Sequence, residues 1–229
     1  MSRIFANCKE SIGEIERDIM EMGIKVHPHS MQNKDVKDND DFSTLEVQNY
    51  TFSILDTSDK DEIVEECLEW NFAEHKERVN PESSNPGEAW KLRENVWKEF
   101  LNDEGKFDYT YQHRFYMHDQ LNLVVKELQE NPDTRQAIIH VHFPDDNSKM
   151  RKDRIPCSVY YQFMMRRGKL DVIYNMRSSD FDTHFKNDIW QADELRRYIA
   201  DKIGVEIGLF HMNIGSLHRY KNYTTKHVF

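Results

Sequence analysis

The chain has 229 residues, of which 38% are hydrophobic, 12% are aromatic and 31% are charged. This apolar content is enough for a core and excludes wholesale disorder, and the length suits one domain spanning residues 1–229. The formal net charge of −10 repels polyanions, so we expect no long nucleic-acid ligand. A few clustered arginines can still hold a single phosphate.

Three cysteines, Cys8, Cys67 and Cys157, occur without paired spacing and predict neither a disulfide framework nor a metal site. The residues after Met1 form a charged segment, and no run approaches the ~20 apolar residues that cross a bilayer. We therefore expect no membrane segment and a cytoplasmic location, in the host cytoplasm if the source is viral.

The first part of the chain predicts two helices around one strand. Apolar residues at spacings of three and four predict an amphipathic helix over 4–24, and the polar run 25–42 predicts an exposed loop. Residues 47–55 alternate near period two, which is typical of a strand. Residues 60–75 return to helical spacing, and the Pro- and Ser-rich run 80–87 predicts a surface loop.

The second part predicts two more helices and then mainly strands. One helix covers 89–101, and the next carries an apolar stripe that ends at Leu128, before Asn131-Pro132. The remaining segments are strands over 137–143, 155–165 and 170–176, a helix over 188–203, and a strand over 205–220 broken at Gly215. This order predicts an α/β (α+β) domain with a large mixed sheet covered by helices.

The surroundings of Cys157 favour nucleophilic chemistry. A lone cysteine on a strand is usually a small buried hydrophobe. Here Ile155-Pro156-Cys157 opens one strand, and the next strand ends in Arg177-Ser178. Adjacent antiparallel strands would bring Arg177 near the thiol, and a nearby cation favours the nucleophilic thiolate.

Five separated blocks resemble, in the same order, those of the thymidylate synthase and deoxycytidylate hydroxymethylase family. Each block alone has an ordinary structural interpretation, and it is their common order over about residues 60–223 that carries the resemblance. The last block is especially similar to phage-type deoxycytidylate hydroxymethylases. The blocks are residues 131–135 (Asn-Pro-Asp-Thr-Arg), 156–163 (Pro-Cys-Ser-Val-Tyr-Tyr-Gln-Phe), 168–170 (Gly-Lys-Leu), 177–180 (Arg-Ser-Ser-Asp) and 213–220, which ends in His-Arg-Tyr.

The resemblance implies a thymidylate synthase-like fold and a covalent mechanism. Cys157 would add to carbon 6 of a pyrimidine nucleotide monophosphate, which makes carbon 5 nucleophilic toward the one-carbon unit of the co-substrate, 5,10-methylenetetrahydrofolate. Arg177 and Ser178 would hold the 5′-phosphate, and Arg135 would reach the same phosphate across a homodimer interface.

The resemblance also implies roles around the sugar, the base and the folate. His218 and Tyr220 stand two residues apart on a strand, so they share a face and would hold the sugar hydroxyl. Asp180 would lie near both the folate and the base. Trp97 would pack near the folate, and Tyr111 would position the nucleotide and relay protons, although either ring could instead belong to the core.

Asp188 is the residue expected to choose the base. Counting without gaps from Arg177 places it where thymidylate synthases have asparagine and deoxycytidylate hydroxymethylases have aspartate. An amide suits the N3–H and O4 of uracil, whereas an ionised carboxylate only accepts and suits the amine of cytosine. Alternatively, Asp188 caps the following helix. The expected reaction converts dCMP to 5-hydroxymethyl-dCMP; the alternatives are thymidylate synthesis from dUMP, C5-methylation of dCMP, and an inactive nucleotide-binding homologue.

The chain departs from the family pattern at several positions. Cys67 stands where the family has a catalytic glutamate, three residues before Trp70; Glu66, or else Glu69, would serve if the helix is shifted, and both are also ordinary surface residues. His184 replaces a glycine near the folate and would crowd it. Gln136 replaces a second phosphate-binding arginine, and only nine residues follow Tyr220, fewer than in synthases.

Overall fold

A computed structural model describes residues 2–31, 34–150 and 152–221. The remaining positions, including 222–223 at the end of the matched region, lie outside the described residues, and the prediction of one domain over 1–229 stays a prediction. The strands are β1 (Ser2–Asn7), β2 (Ile24–Val26), β3 (Ser30–Met31), β4 (Lys34–Asp35), β5 (Thr44–Asp56), β6 (Ile138–His140), β7 (Ser158–Arg166), β8 (Lys169–Asp180) and β9 (Glu206–Tyr220). The α-helices are α1 (Cys8–Met22), α2 (Leu68–Arg78), α3 (Glu94–Trp97), α4 (Tyr111–Tyr116), α5 (Gln120–Glu130) and α6 (Lys186–Ile203).

The predicted mixed sheet covered by helices is confirmed. Its strand order is β1-β5-β9-β8-β7-β6, with β2 paired to the other part of β5, while β3 and β4 form a separate hairpin. The pairs β1–β5 and β8–β9 are parallel, and β5–β9, β7–β8 and β6–β7 are antiparallel. Helices α1, α5 and α6 bury their apolar sides against the sheet, with Ile15, Leu128 and Ile189 in the same core. No helix in the described ranges has the length and apolarity to span a bilayer.

The helix predicted over 4–24 starts later than expected, at Cys8. Residues Ser2–Asn7 instead form an edge strand parallel to β5, which buries Phe5 in the core. The side chain of Asn7 caps α1 by accepting a 2.9 Å hydrogen bond from the backbone N–H of Glu10. The prediction for residues 4–7 is wrong because apolar spacing does not show where a helix begins, whereas the capping residue does.

The exposed loop predicted over 25–42 is only partly correct. Ile24–Val26 pairs with β5, and Ser30–Met31 pairs with Lys34–Asp35. Strands this short carry too few residues for a periodic signal. The long strand β5 supports the pairing of β2, whereas β3 and β4 pair with each other.

The β7–β8 hairpin and the parallel neighbour β9 set the geometry of the functional site. Arg167 and Gly168 form its two-residue turn, both with positive φ. Strand β9 continues through Gly215 rather than breaking there. An added Cβ at Gly215 would meet the carbonyl oxygen of Arg177 at 2.8 Å, so only glycine allows β9 to approach Arg177 this closely.

Candidate active site

One large cavity gathers most of the residues predicted to be functional. It has a volume of about 1230 Å³ and lies between the ends of β8 and β9, the inner side of α2, the start of α6 and the segment before β7. The predicted residues that line it are Trp97, Tyr111, Cys157, Arg177, Ser178, Asp180, Asp188, His218 and Tyr220.

Cys157 lies immediately before β7, with its sulfur beside two hydrogen-bond donors. The Sγ atom is 3.5 Å from Nη2 of Arg177 and 3.6 Å from Oγ of Ser178. The guanidinium is held in place because its Nε and Nη2 donate to the carbonyls of Pro156 (2.9 Å) and Ile155 (3.2 Å). The antiparallel pairing of β7 and β8 thus produces the predicted contact and fixes a cation beside the sulfur.

Asp188 faces the same cavity from the first turn of α6. Its Oδ2 accepts a 2.8 Å hydrogen bond from Oγ of Ser179. Burial raises the pKa of Asp188 to about 7, although the Ser179 hydrogen bond and the nearby Arg78 cation act in the opposite direction. The residue that precedes α6 is Phe185, and among the described residues no side chain makes a capping hydrogen bond to this helix. Helix capping therefore does not account for Asp188, which can present either a carboxylic acid or a carboxylate to a ligand.

Tyr111 opens a short chain of hydroxyl groups next to the cysteine. Its Oη is 2.7 Å from Oγ of Ser158, which in turn is 2.5 Å from Oη of Tyr174. Ser158 and Tyr174 are buried, and burial raises the pKa of Tyr111 well above its ordinary value. Tyr111 is therefore a neutral phenol with its oxygen fixed by Ser158, the residue that follows Cys157.

The pair His218 and Tyr220 lines the cavity from β9. The two rings meet edge to face with centroids 5.5 Å apart. Asp180 is the register partner of His218, and its Oδ1 accepts a 3.1 Å hydrogen bond from the backbone N–H of Asp182. The parallel pairing of β8 and β9 thus aligns the two predicted motifs side by side.

Tryptophan rings form a broad aromatic wall. Trp97 stacks on Trp70 with centroids 5.9 Å apart and an interplanar angle of 19°. His184 lies against Trp97 at 5.6 Å, and burial lowers its pKa to about 4, so this imidazole is neutral at pH 7. The buried indole N–H groups of Trp70 and Trp97 have no acceptor within the described chain. Flat aromatic faces with unused donors fit a large heteroaromatic ligand such as a pterin.

Comparison with known proteins assigns the family. The thymidylate synthase family model matches residues 70–228, which is more than half of the chain. The chain belongs to the thymidylate synthase family. The resemblance found in the sequence is thereby confirmed.

Two relatives show how far the similarity extends. A putative thymidylate synthase of Methanosarcina barkeri is 33% identical over 106 residues, which are 44% of this chain and 48% of that protein. The deoxycytidylate 5-hydroxymethyltransferase of Enterobacteria phage T4 is 27% identical over 181 residues, 71% of this chain and 68% of that enzyme. The chain thus spans about half of the first relative and two thirds of the second.

The fold is that of thymidylate synthases. The thermostable thymidylate synthase A from Bacillus subtilis matches the structure with a TM-score of 0.69 at 20% identity. The match covers 95% of this chain and 81% of that enzyme. The predicted thymidylate synthase-like architecture is therefore confirmed at the level of the fold.

Two residues predicted for the site of this family member are not in the cavity. Glu66 is exposed, because the chain is kinked at Val64, two residues earlier, and α2 begins only at Leu68; Glu69 is also exposed. Glu66 does not line the cavity, so its position does not support the predicted catalytic role. Arg135 is exposed in the loop before β6 and does not line the cavity of its own chain.

Cys67, at the position of the family glutamate, has a different partner. Its thiol donates a hydrogen bond to Oδ1 of Asn187 at 3.0 Å, and Oδ1 also accepts from the side chain of Asn71 at 2.7 Å. Burial raises the pKa of the Cys67 thiol, so Cys67 keeps its proton. It is therefore a structural donor rather than a base.

Sequence reasoning missed an ion pair that lines the cavity, Glu74 and Arg78 on α2. Both share a helix face with Trp70, four and eight residues earlier. That spacing from an identified site residue is the signal that would have found them. It was hidden because an i, i+4 pair of opposite charge is also typical of an exposed helix surface.

Proposed function

We propose that this chain transfers a one-carbon unit to carbon 5 of dCMP and forms 5-hydroxymethyl-dCMP. The observation that carries the proposal is that Cys157 and Asp188 open into one cavity. A nucleophile for the ring carbon and a carboxyl group for the edge of the base are thereby available to the same ligand.

Cys157 acts as the nucleophile in this proposal. Its thiolate bonds to carbon 6, and the electron pair of the C5–C6 double bond moves into the ring, which makes carbon 5 nucleophilic. The Arg177 guanidinium, 3.5 Å from Sγ, stabilises the thiolate before attack. Expulsion of the same thiolate at the end restores the double bond.

Asp188 recognises the base and supplies a proton. In its acid form it donates to N3 of cytosine and accepts from the 4-amino group, which fits the donor and acceptor pattern of that edge. When Cys157 adds, negative charge grows on N3, and the acid form of Asp188 can neutralise it. A pKa of about 7 keeps a substantial fraction of the acid form at neutral pH.

The phosphate and sugar contacts follow from the remaining residues. Arg177 and Ser178 hold the 5′-phosphate, and His218 and Tyr220 hold the sugar hydroxyl. Arg135 is exposed and outside its own cavity. It can therefore contribute only to a second copy of the chain, so we propose a homodimer in which Arg135 completes the partner's phosphate site.

The aromatic wall is the proposed site for 5,10-methylenetetrahydrofolate. When bound, this co-substrate supplies a one-carbon unit at the oxidation level of formaldehyde. Trp97 offers a ring face, and the buried indole N–H groups of Trp70 and Trp97 offer donors. Asp180 offers a carboxylate, and neutral His184 packs on the Trp97 side of the same wall.

The test uses tritium at carbon 5. Purified protein is incubated with 5-tritiated dCMP or dUMP and methylenetetrahydrofolate, and tritium released into water is counted. We expect release from dCMP to exceed release from dUMP by about ten- to a hundredfold, the selectivity that one mismatched buried polar pair provides. Mass analysis should show a hydroxymethyl product.

Three outcomes would contradict the proposal in different ways. Release from dUMP alone would indicate thymidylate synthase chemistry, in line with the name of the Methanosarcina relative. A methyl product from dCMP would indicate a methylase. Binding of 5-fluoro-dCMP with no covalent adduct at Cys157 would indicate a nucleotide-binding protein without catalysis.

A further inference from the structure

Glu74 and Arg78 form a largely buried ion pair in the wall of the cavity. Nε of Arg78 lies 2.8 Å from Oε1 of Glu74, and the two side chains are 11% and 21% exposed. The guanidinium stacks on Tyr111, with its central carbon 3.7 Å from the ring centroid. Because Tyr111 bonds to Ser158, the neighbour of Cys157, the ion pair lies at the nucleophile's side of the cavity.

The ion pair has unused hydrogen-bonding groups. Arg78 donates to Glu74 through Nε, and neither of its terminal amino groups has an acceptor among residues 2–31, 34–150 and 152–221. Within the same ranges, Oε2 of Glu74 accepts no hydrogen bond. Both residues line the cavity, where a ligand or ordered water can satisfy these groups. The pair is therefore prepared to hold a small polar molecule.

Other carboxylates in this part of the wall accept from uncharged donors, whereas Glu74 accepts from the Arg78 cation. Glu77 accepts from the backbone N–H groups of Glu88 and Ala89, and Asp188 accepts from Ser179. The Cys67 thiol keeps its proton and points to Asn187. Glu74 thus combines an open oxygen with a neighbouring cation, which are the two requirements for holding and deprotonating a water molecule.

We propose that Glu74 and Arg78 bind and activate the water that becomes the hydroxyl of the product; the inference rests on the function proposed above. Arg78 donates to the water oxygen, and Glu74 takes its proton. After the one-carbon unit has bonded to C5, loss of the folate amine and of the C5 proton leaves an exocyclic C5=CH2 group on the nucleotide. The water oxygen bonds to the CH2 carbon, the electrons of that double bond re-form C5=C6, and the C6–S bond breaks to release the Cys157 thiolate.

The reverse of this step gives a test that needs no folate. Purified full-length protein is incubated with 5-hydroxymethyl-dCMP in heavy-oxygen water, and exchange of the hydroxymethyl oxygen is followed by mass spectrometry. We expect exchange in the wild type, a decrease of about 100-fold in Glu74→Gln, and a decrease of about tenfold in Arg78→Lys, which keeps the charge but loses the planar donors. Nucleotide binding should change less than about threefold in both variants.

The exposed pair Glu94 and Lys98 provides the control, because it has the same i, i+4 spacing outside the cavity. Glu94→Gln should exchange oxygen at the wild-type rate. Wild-type exchange together with unchanged rates in Glu74→Gln and Arg78→Lys would overturn the role of the ion pair and leave the proposed function standing. Absence of exchange and of tritium release in the wild type would overturn the proposed function and this inference with it.

Discussion

Two walls of the cavity differ in how well the sequence predicts their geometry: the strand wall, formed by β7 and β8, and the helix wall, formed by α2 and the residues just before it. The strand wall places Cys157, Arg177 and Ser178 within hydrogen-bonding distance of one another. On the helix wall, the Cys67 thiol bonds to Asn187, whereas Glu74 and Arg78 line the cavity. Paired strands transmit a motif directly into geometry, because register fixes which residues are adjacent. On a helix, which residue faces the site depends on where the helix begins, and a kink such as the one at Val64 changes that.

The largest expected effect tests the strand wall. Cys157→Ser should reduce tritium release by about 10⁴-fold or more, because no covalent bond to carbon 6 can form. Intact-protein mass analysis should show the 5-fluoro-dCMP adduct in the wild type and not in the variant. Cys67→Ser, on the helix wall, is the matched control and should retain the adduct. If Cys67→Ser lost the adduct and Cys157→Ser kept it, Cys67 and not Cys157 would be the nucleophile, and the prediction would be wrong.

The second prediction tests whether the phosphate site next to the strand wall needs Arg135 from a second copy of the chain. Arg135→Ala should lower kcat/KM by about ten- to a hundredfold, the effect of losing one charge-assisted hydrogen bond. Mixing Arg135→Ala with Cys157→Ser should then restore about a quarter of wild-type activity, since half of the dimers are mixed and each has one intact site. A monomer in solution, or no recovery on mixing, would contradict the shared site.

The third prediction concerns Asp188, which stands where β8 and α6 meet. Asp188→Asn should shift selectivity from dCMP toward dUMP by about ten- to a hundredfold, because an amide fits the N3–H and O4 of uracil. The measurement is the ratio of kcat/KM for the two nucleotides. Ser179→Ala removes the neighbouring donor without changing the carboxyl group, and should change the ratio less.

The pH dependence gives the fourth prediction. The acid form of Asp188 is active here, and its pKa of about 7 lies above the ordinary value of 3.8, so kcat/KM for dCMP should fall about tenfold per pH unit above 7. The native state binds this proton more tightly than the unfolded state, so the free energy of unfolding should also fall between about pH 4 and 7. Asp188→Asn should lack this contribution to both profiles.

The smallest effect probes how closely β9 approaches β8. Gly215→Ala should destabilise the fold by about 1–3 kcal/mol, because the new methyl group meets the Arg177 carbonyl at 2.8 Å. Gly13→Ala in α1 has open space around it and should be neutral or slightly stabilising. The comparison of the two melting temperatures separates local crowding from the general effect of adding a methyl group.

Much of the strand wall could be predicted from the sequence. The order of the blocks and the two-residue turn at Arg167-Gly168 imply the pairing that brings Arg177 to Cys157. Alternation on β9 places His218 and Tyr220 together, as their rings confirm. Their roles in binding stay predictions.

The helix wall could not be predicted in the same way. The kink at Val64 ends one helical segment before α2 begins, so Glu66 turns to solvent. Nothing in the composition marks that change of direction. Glu74 and Arg78 also resemble an ordinary surface pair until the position of Tyr111 is known, and that contact links residues far apart in the chain.

The hydroxyl groups of Tyr111, Ser158 and Tyr174 form a row joined by two hydrogen bonds, so one of their three protons is not needed within the row. All the protons in such a row can reverse direction together while every oxygen stays in place. Tyr111 can therefore act as a hydrogen-bond donor toward the cavity in one arrangement and as an acceptor in the other. One rigid side chain can in this way serve steps of opposite proton demand.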